Sequence, residues 1–216
     1  PVEPSVDVTP GDVLITSAHL FLQTGDDYST VGGTSEINRS SYTEKTTSLM
    51  FTTGSDVTSL QVLYEQGGGT RGLNIFVENG FLKASVWSGT SYDIVQTAIT
   101  AGTDHSVAFV FNGGQGSAST IDLWLDGALA DSAATFDTLP KHGELGAVGQ
   151  VYQSTVIDGN GISATLAFDG TVHAITQHNQ VLSPAEIAAL SGTLPGGITV
   201  PPVDPPIDPP VVDTTG

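Results

Sequence analysis

The chain has 216 residues, with 23 acidic against 5 basic side chains and a net charge of −18. A surface that acidic repels nucleic-acid phosphates and anionic lipid, which argues against both as partners. The chain contains no Cys, so it has no disulfide framework, thiol nucleophile or thiolate metal site.

Residues 1–12 open with Pro1-Val2-Glu3-Pro4, without the basic start or apolar run of a secretory leader. They read as a linker ahead of a folded unit over 13–197. No stretch approaches the roughly 18 apolar residues of a membrane helix, so membrane insertion is not expected. Within the unit, residues 46–53 and 60–66 have the composition and alternation of strands. Asn79-Gly80 is a strong type I′ hairpin signal. A two-residue hairpin there pairs Val77 with Leu82, Ile75 with Ala84 and Leu73 with Val86. These six apolar side chains share one face. The other face carries Gly72, Asn74, Phe76, Lys83, Ser85 and Trp87, the division a half-buried antiparallel pair requires.

Val107, Phe109 and Phe111 mark another strand, followed by a Gly-rich loop at 112–116. Ile121, Leu123 and Leu125 alternate with Asp122, Trp124 and Asp126, and Asp126-Gly127 closes that strand in a turn. A single helix is expected late in the chain. Ser183-Pro184-Ala185-Glu186 is a capping box with Pro at the first helical position, and Gly192 suits the C-terminal cap. Residues 198–216 repeat a Pro-Pro-x-Asp theme that favours a polyproline II spacer and contributes nothing to the fold. Many strands and one late helix predict an all-β, two-sheet antiparallel jelly-roll sandwich. The Pro-rich spacers imply a monomeric module excised from a longer chain, with flanking domains on either side.

The segments Ser48-Leu49-Met50-Phe51-Thr52-Thr53-Gly54, Leu63-Tyr64-Glu65-Gln66-Gly67-Gly68, Arg71-Gly72-Leu73-Asn74-Ile75 and His105-Ser106-Val107-Ala108-Phe109-Val110 form an ordered series. Leu123-Trp124-Leu125-Asp126-Gly127, Phe168-Asp169-Gly170 and residues 182–190 complete it. Over about 13–192 the series resembles laminin-G-like jelly-roll domains of the concanavalin A-like kind. The resemblance implies an extracellular module of a large bacterial surface adhesin, of the RTX type among others, that binds cell-surface or extracellular glycans with Ca²⁺ assistance. The absence of Cys agrees with a bacterial origin. Two alternatives stand beside it, a structural spacer domain and a non-catalytic accessory module of a polysaccharide-degrading enzyme. The chain departs from the family at Val172-His173-Ala174, where many members place acidic residues.

The expected site is the loop region of His142-Gly143-Glu144 together with residues 152–160. Asp158-Gly159-Asn160-Gly161 is rich in oxygen donors. With Glu144 brought alongside, Glu144, Asp158 and Asn160 are the candidate Ca²⁺ ligands, backbone and water completing roughly six to eight oxygens. An ordinary polar turn is the simpler reading of the same residues, and Asp26-Asp27 is a rival acidic pair. Tyr152, Asn160 and Trp87 are the candidate ligand contacts. Trp87 and Phe76 either stack on sugar rings or lie beneath a covering loop, which is the favoured reading, and Trp124 is in the same position. In the loop 65–71 Glu65 is expected to form a structural salt bridge with Arg71, with ligand contact as the alternative.

No His-x-His or HExxH spacing suggests zinc. The paired carboxylates about 5 Å apart that retaining glycosidases use have no counterpart in the sequence, nor do nucleophile elbows or phosphate loops. The chain does not read as an enzyme.

Overall fold

Asn79 and Gly80 have φ angles of 55° and 81°, the two left-handed conformations of a type I′ turn. The strands they join pair as the alternation predicts, Val77 with Leu82, Ile75 with Ala84 and Leu73 with Val86. The same device recurs at Asp126-Gly127, with φ of 52° and 81°, and at Asp158-Gly159, with φ of 49° and 75°.

The structure, a computed structural model, describes residues 13–15, 29–31, 40–144 and 146–191. The expected linkers, the Asp26-Asp27 pair and Gly192 lie outside these residues. In chain order the strands are Val13–Ile15 (β1), Ser29–Val31 (β2), Glu44–Thr53 (β3), Gln61–Gly67 (β4) and Arg71–Glu78 (β5). Phe81–Ser88 (β6), Ser91–Ala98 (β7), Asp104–Asn112 (β8), Thr120–Leu125 (β9) and Ala128–Ala134 (β10) follow. Gly146–Val148 (β11), Thr155–Ile157 (β12), Asn160–Ile162 (β13) and Gly170–His178 (β14) precede the helix Pro184–Ser191 (α1).

Two six-stranded sheets form, in the orders β1-β14-β3-β8-β9-β10 and β2-β11-β4-β5-β6-β7, and β12-β13 is a separate two-stranded ribbon. Both sheets turn their apolar faces inward. Leu49, Phe51, Phe109, Phe111 and Ile175 of the first meet Leu63, Leu73, Ile75, Leu82 and Val86 of the second in one core. Each such buried side chain contributes about 1.5–3 kcal/mol.

The outer faces are partly covered, and this decides which surfaces a ligand can reach. On the second sheet, Ile157 and Val151 pack on Val62 and Phe76. Asn74 Nδ2 donates to the Val156 carbonyl at 2.8 Å and to Thr155 Oγ1 at 3.0 Å. Ser85 donates to Asn74 Oδ1 at 2.6 Å, so the amide is satisfied on both sides. On the first sheet, Leu182 and Ile187 sit on Ala108 and Val110, with Trp124 packed alongside. The capping box forms as expected, Glu186 Oε2 accepting the Ser183 amide at 2.7 Å.

Candidate functional site

At one end of the second sheet, Gly67, Gly72, Trp87 and Tyr92 lie in a row across β4, β5, β6 and β7. A Cβ on Gly72 would stand 2.7 Å from Trp87 Cζ2 and 2.3 Å from the Gln66 carbonyl. Glycine therefore lets the indole lie over β5 and donate through Nε1 to the Gly68 carbonyl at 2.8 Å. Trp87 is only 1% exposed. It holds the β4–β5 turn in place and has no face left for a sugar, which corrects its assignment as a ligand contact. Phe76 is fully buried beneath the covering ribbon, as the favoured reading had it.

The segment before β11 is pinned against this turn. Tyr42 and Leu139 exchange backbone hydrogen bonds at 3.0 and 2.9 Å, and the Lys141 amide donates to Ser41 Oγ at 3.1 Å. Because β11 pairs with β4, with Gly146 opposite Gln66, the residues just before it run beside the β4–β5 turn. Arg71 Nη1 reaches across and donates to the Lys141 carbonyl at 3.0 Å. Between the two segments is an open cleft of about 580 Å³, lined by Thr70, Arg71, Lys141, His142, Gly143 and Glu144.

The cleft's electrostatics run against the chain's overall charge. Of the five basic residues, Arg71 and Lys141 line the cleft, and Lys45 lies close enough to act on His142. Among the described residues neither Arg71 nor Lys141 is in an ion pair, whereas Lys83 is paired with Glu78 at 2.7 Å. His142 is nine-tenths buried, and neither ring nitrogen has a hydrogen-bond partner. Its Nδ1 stands 3.5 Å from Glu144 Oε2, within ion-pair range but too long for a good hydrogen bond. Burial pushes its pKa down. Glu144 opposes that shift, while Lys45 and Arg71 add to it. The imidazole is thus neutral at pH 7. Lys45 is buried with its ammonium 4.1 Å from the Tyr42 ring centroid, and desolvation brings its pKa to about 7.

The expected Glu65–Arg71 salt bridge does not form. Glu65 turns to the outer face, fully buried, where Oε1 accepts the Tyr152 amide at 3.1 Å and Oε2 has no partner. Desolvation raises its pKa to about 9, so it is protonated at neutral pH and has no charge to offer Arg71.

The three candidate calcium ligands fall in two places. Asp158 and Asn160 flank Gly159 in the tight turn joining β12 and β13, where Asn160 Nδ2 donates to the Asp158 carbonyl at 3.0 Å. The Asp158 amide donates to Tyr92 Oη at 3.0 Å. Glu144 lies against Gly68 on the far side of the Trp87 indole. The structure thus brings Asp158 and Asn160 together at the ribbon turn and Glu144 to the β4–β5 turn. Among the described residues no group of three His, Cys, Asp or Glu is placed to hold a metal ion. Tyr152 contributes its amide to Glu65 and lies half-buried outside the cleft. Sequence reasoning found His142-Gly143-Glu144, weighed ligand contact for the loop ending in Thr70-Arg71 but favoured a structural role, and missed Lys141. The scarcity of basic residues, with Lys141 adjoining His142, was the signal available for Lys141.

No family model matches the chain, and no curated protein does. Solved structures do. The carbohydrate-binding module CBM40 of a Ruminococcus gnavus IT-sialidase, bound to α2,3-sialyllactose, is 15% identical, with a TM-score of 0.53 over 70% of this chain and 84% of that one. A native heptameric SAP-like pentraxin from Limulus polyphemus is 11% identical, with a TM-score of 0.53 over 76% of this chain and 80% of its own. The binding domain of Paraclostridial Mosquitocidal Protein 1 is 12% identical, with a TM-score of 0.61 over 86% of this chain and 46% of that one. The fold the chain shares with these structures is the two-sheet antiparallel jelly-roll sandwich.

Proposed function

We propose that this chain is a non-catalytic glycan-binding module, of the laminin-G-like kind found in secreted bacterial surface proteins. Its ligand enters the cleft between Thr70-Arg71 and residues 141–144. The observation that carries the reading is the cleft itself. Arg71 and Lys141 present cationic donors without carboxylate partners among the described residues, and the half-exposed Glu144 presents an acceptor beside them. Sugar hydroxyls both donate and accept, so such a mixed wall suits them. That a structural neighbour, matched over 84% of its length, is a carbohydrate-binding module bound to sialyllactose supports the same class of ligand.

Of the three expected calcium donors only Glu144 lines this cleft, so the proposed contacts are made by protein side chains and not routed through an ion. The test is binding of the intact chain to an oligosaccharide array, repeated with Arg71→Gln and Lys141→Gln. Binding that both substitutions weaken, at unchanged melting temperature, supports the cleft. A folded protein that binds no glycan favours the spacer reading instead.

A further inference from the structure

We infer that the saccharide taken by this cleft is acidic and is held through a carboxylate by Arg71 and Lys141. This rests on the cleft being the glycan site and adds the chemical class of its ligand. The argument begins with the distribution of charge. The chain carries 23 acidic and 5 basic residues, so a basic side chain has many carboxylates available to pair with. Lys83 has taken one, Glu78, at 2.7 Å. Arg71 and Lys141, adjacent across the cleft, are in no ion pair among the described residues. Two cations lining one cleft repel each other, and the fold nevertheless places both residues there. The Arg71 guanidinium bond to the Lys141 carbonyl and the Lys141 amide bond to Ser41 Oγ hold the Arg71 side chain and the Lys141 backbone in place.

The remote carboxylates do not cancel this arrangement. At physiological ionic strength charges beyond roughly 8 Å are largely screened, so the groups lining the cleft decide what binds there. Arg71 uses one guanidinium nitrogen on Lys141, which leaves donors in the planar fork geometry that matches a carboxylate in two parallel hydrogen bonds. His142 adds a second observation, since its imidazole lines the cleft nine-tenths buried with both nitrogens lacking a hydrogen-bond partner. Among the described residues the imidazole nitrogens of His142 are thus polar groups of the wall without a hydrogen-bond partner. Glu144 sets the orientation. The ligand carboxylate lies toward Arg71 and Lys141, and sugar hydroxyls donate to Glu144.

The experiment is calorimetric titration of the full chain with sialylated and hexuronate-containing oligosaccharides. Each is run beside its carboxyl-reduced counterpart and beside a sulfated oligosaccharide of similar size. The acidic form of at least one pair should bind at least about tenfold tighter than its reduced form, the worth of one charge-assisted hydrogen bond. Arg71→Gln should erase that preference. Glu144→Gln should tighten the acidic ligand, by removing a like charge, without tightening the reduced one. Equal binding of acidic and reduced forms, both weakened by Arg71→Gln, would overturn the carboxylate inference and leave the glycan-binding reading standing. Binding of the sulfated sugar alone would also overturn it. A folded protein that binds none of these would overturn both.

Discussion

The carboxyl group of Glu65 accepts the amide of Tyr152 at 3.1 Å, and its second oxygen meets no partner at all. A buried acid so placed makes stability depend on pH. Its folded pKa of about 9 lies above an unfolded value of roughly 4.3. Between those values the folded chain keeps a proton that the unfolded chain has lost. The contribution is therefore complete below about pH 4 and is lost as pH rises toward 9.

Glu65→Gln removes that slope. Its stability relative to the parent should rise between pH 5 and pH 7, by at most about 1.4 kcal/mol per pH unit. Lys45 has the opposite sign, with a folded pKa of about 7 below an unfolded value of roughly 10.4, so its slope sets in near the top of that window and is common to both proteins. The lowered His142 pKa acts equally in both proteins. Parallel denaturation curves at the two pH values would show that Glu65 is ionised in the folded state.

Gly72→Ala tests the seat of Trp87. The new methyl meets both the indole and the Gln66 carbonyl, contacts too close to stand without a shift. Overpacking of this kind costs about 1–3 kcal/mol. Loss of the bond from Trp87 to Gly68 should accompany it, visible as a red shift in tryptophan emission. An unshifted spectrum at full stability would mean that the indole does not rest on β5.

Gly80→Val separates backbone strain from crowding. A Cβ at Gly80 finds nothing within 4 Å, so any cost arises from its φ of 81°. A β-branched residue forced into that region should lose about 1–2 kcal/mol in chemical denaturation. No loss would show that the turn relaxes to another type.

Asp158→Ala bears on calcium. With Asp158 at the ribbon turn and Glu144 beyond Trp87, any calcium-induced rise in melting temperature should be the same in variant and parent. A smaller rise in the variant would place Asp158 in a site that forms only when the ion is present. An equal rise would turn attention to other carboxylates, Asp26 and Asp27 among them.

The sequence by itself determined the local units and their class. The Asn79-Gly80 turn fixes its own φ angles, and alternation on either side then dictates which residues pair, so Leu73 meets Val86 as read. The capping box at Ser183 is equally local. Binary alternation says which residues share a face, but it does not say what covers that face. Phe76 is buried by Val151 and Ile157, some eighty positions further along the chain, and Trp87 by the turn at Gly68. The cleft is decided at the same long range. Arg71 and Lys141 lie 70 positions apart and meet because β11 pairs with β4. Glu65, six residues from Arg71, was the natural partner on paper. Side chains alternate across a strand, and that alternation sends Glu65 beneath the ribbon, where desolvation removes its charge. Turn chemistry acts between neighbours and is written in them. Burial depends on which distant segment comes to lie on top, and only the folded chain decides that.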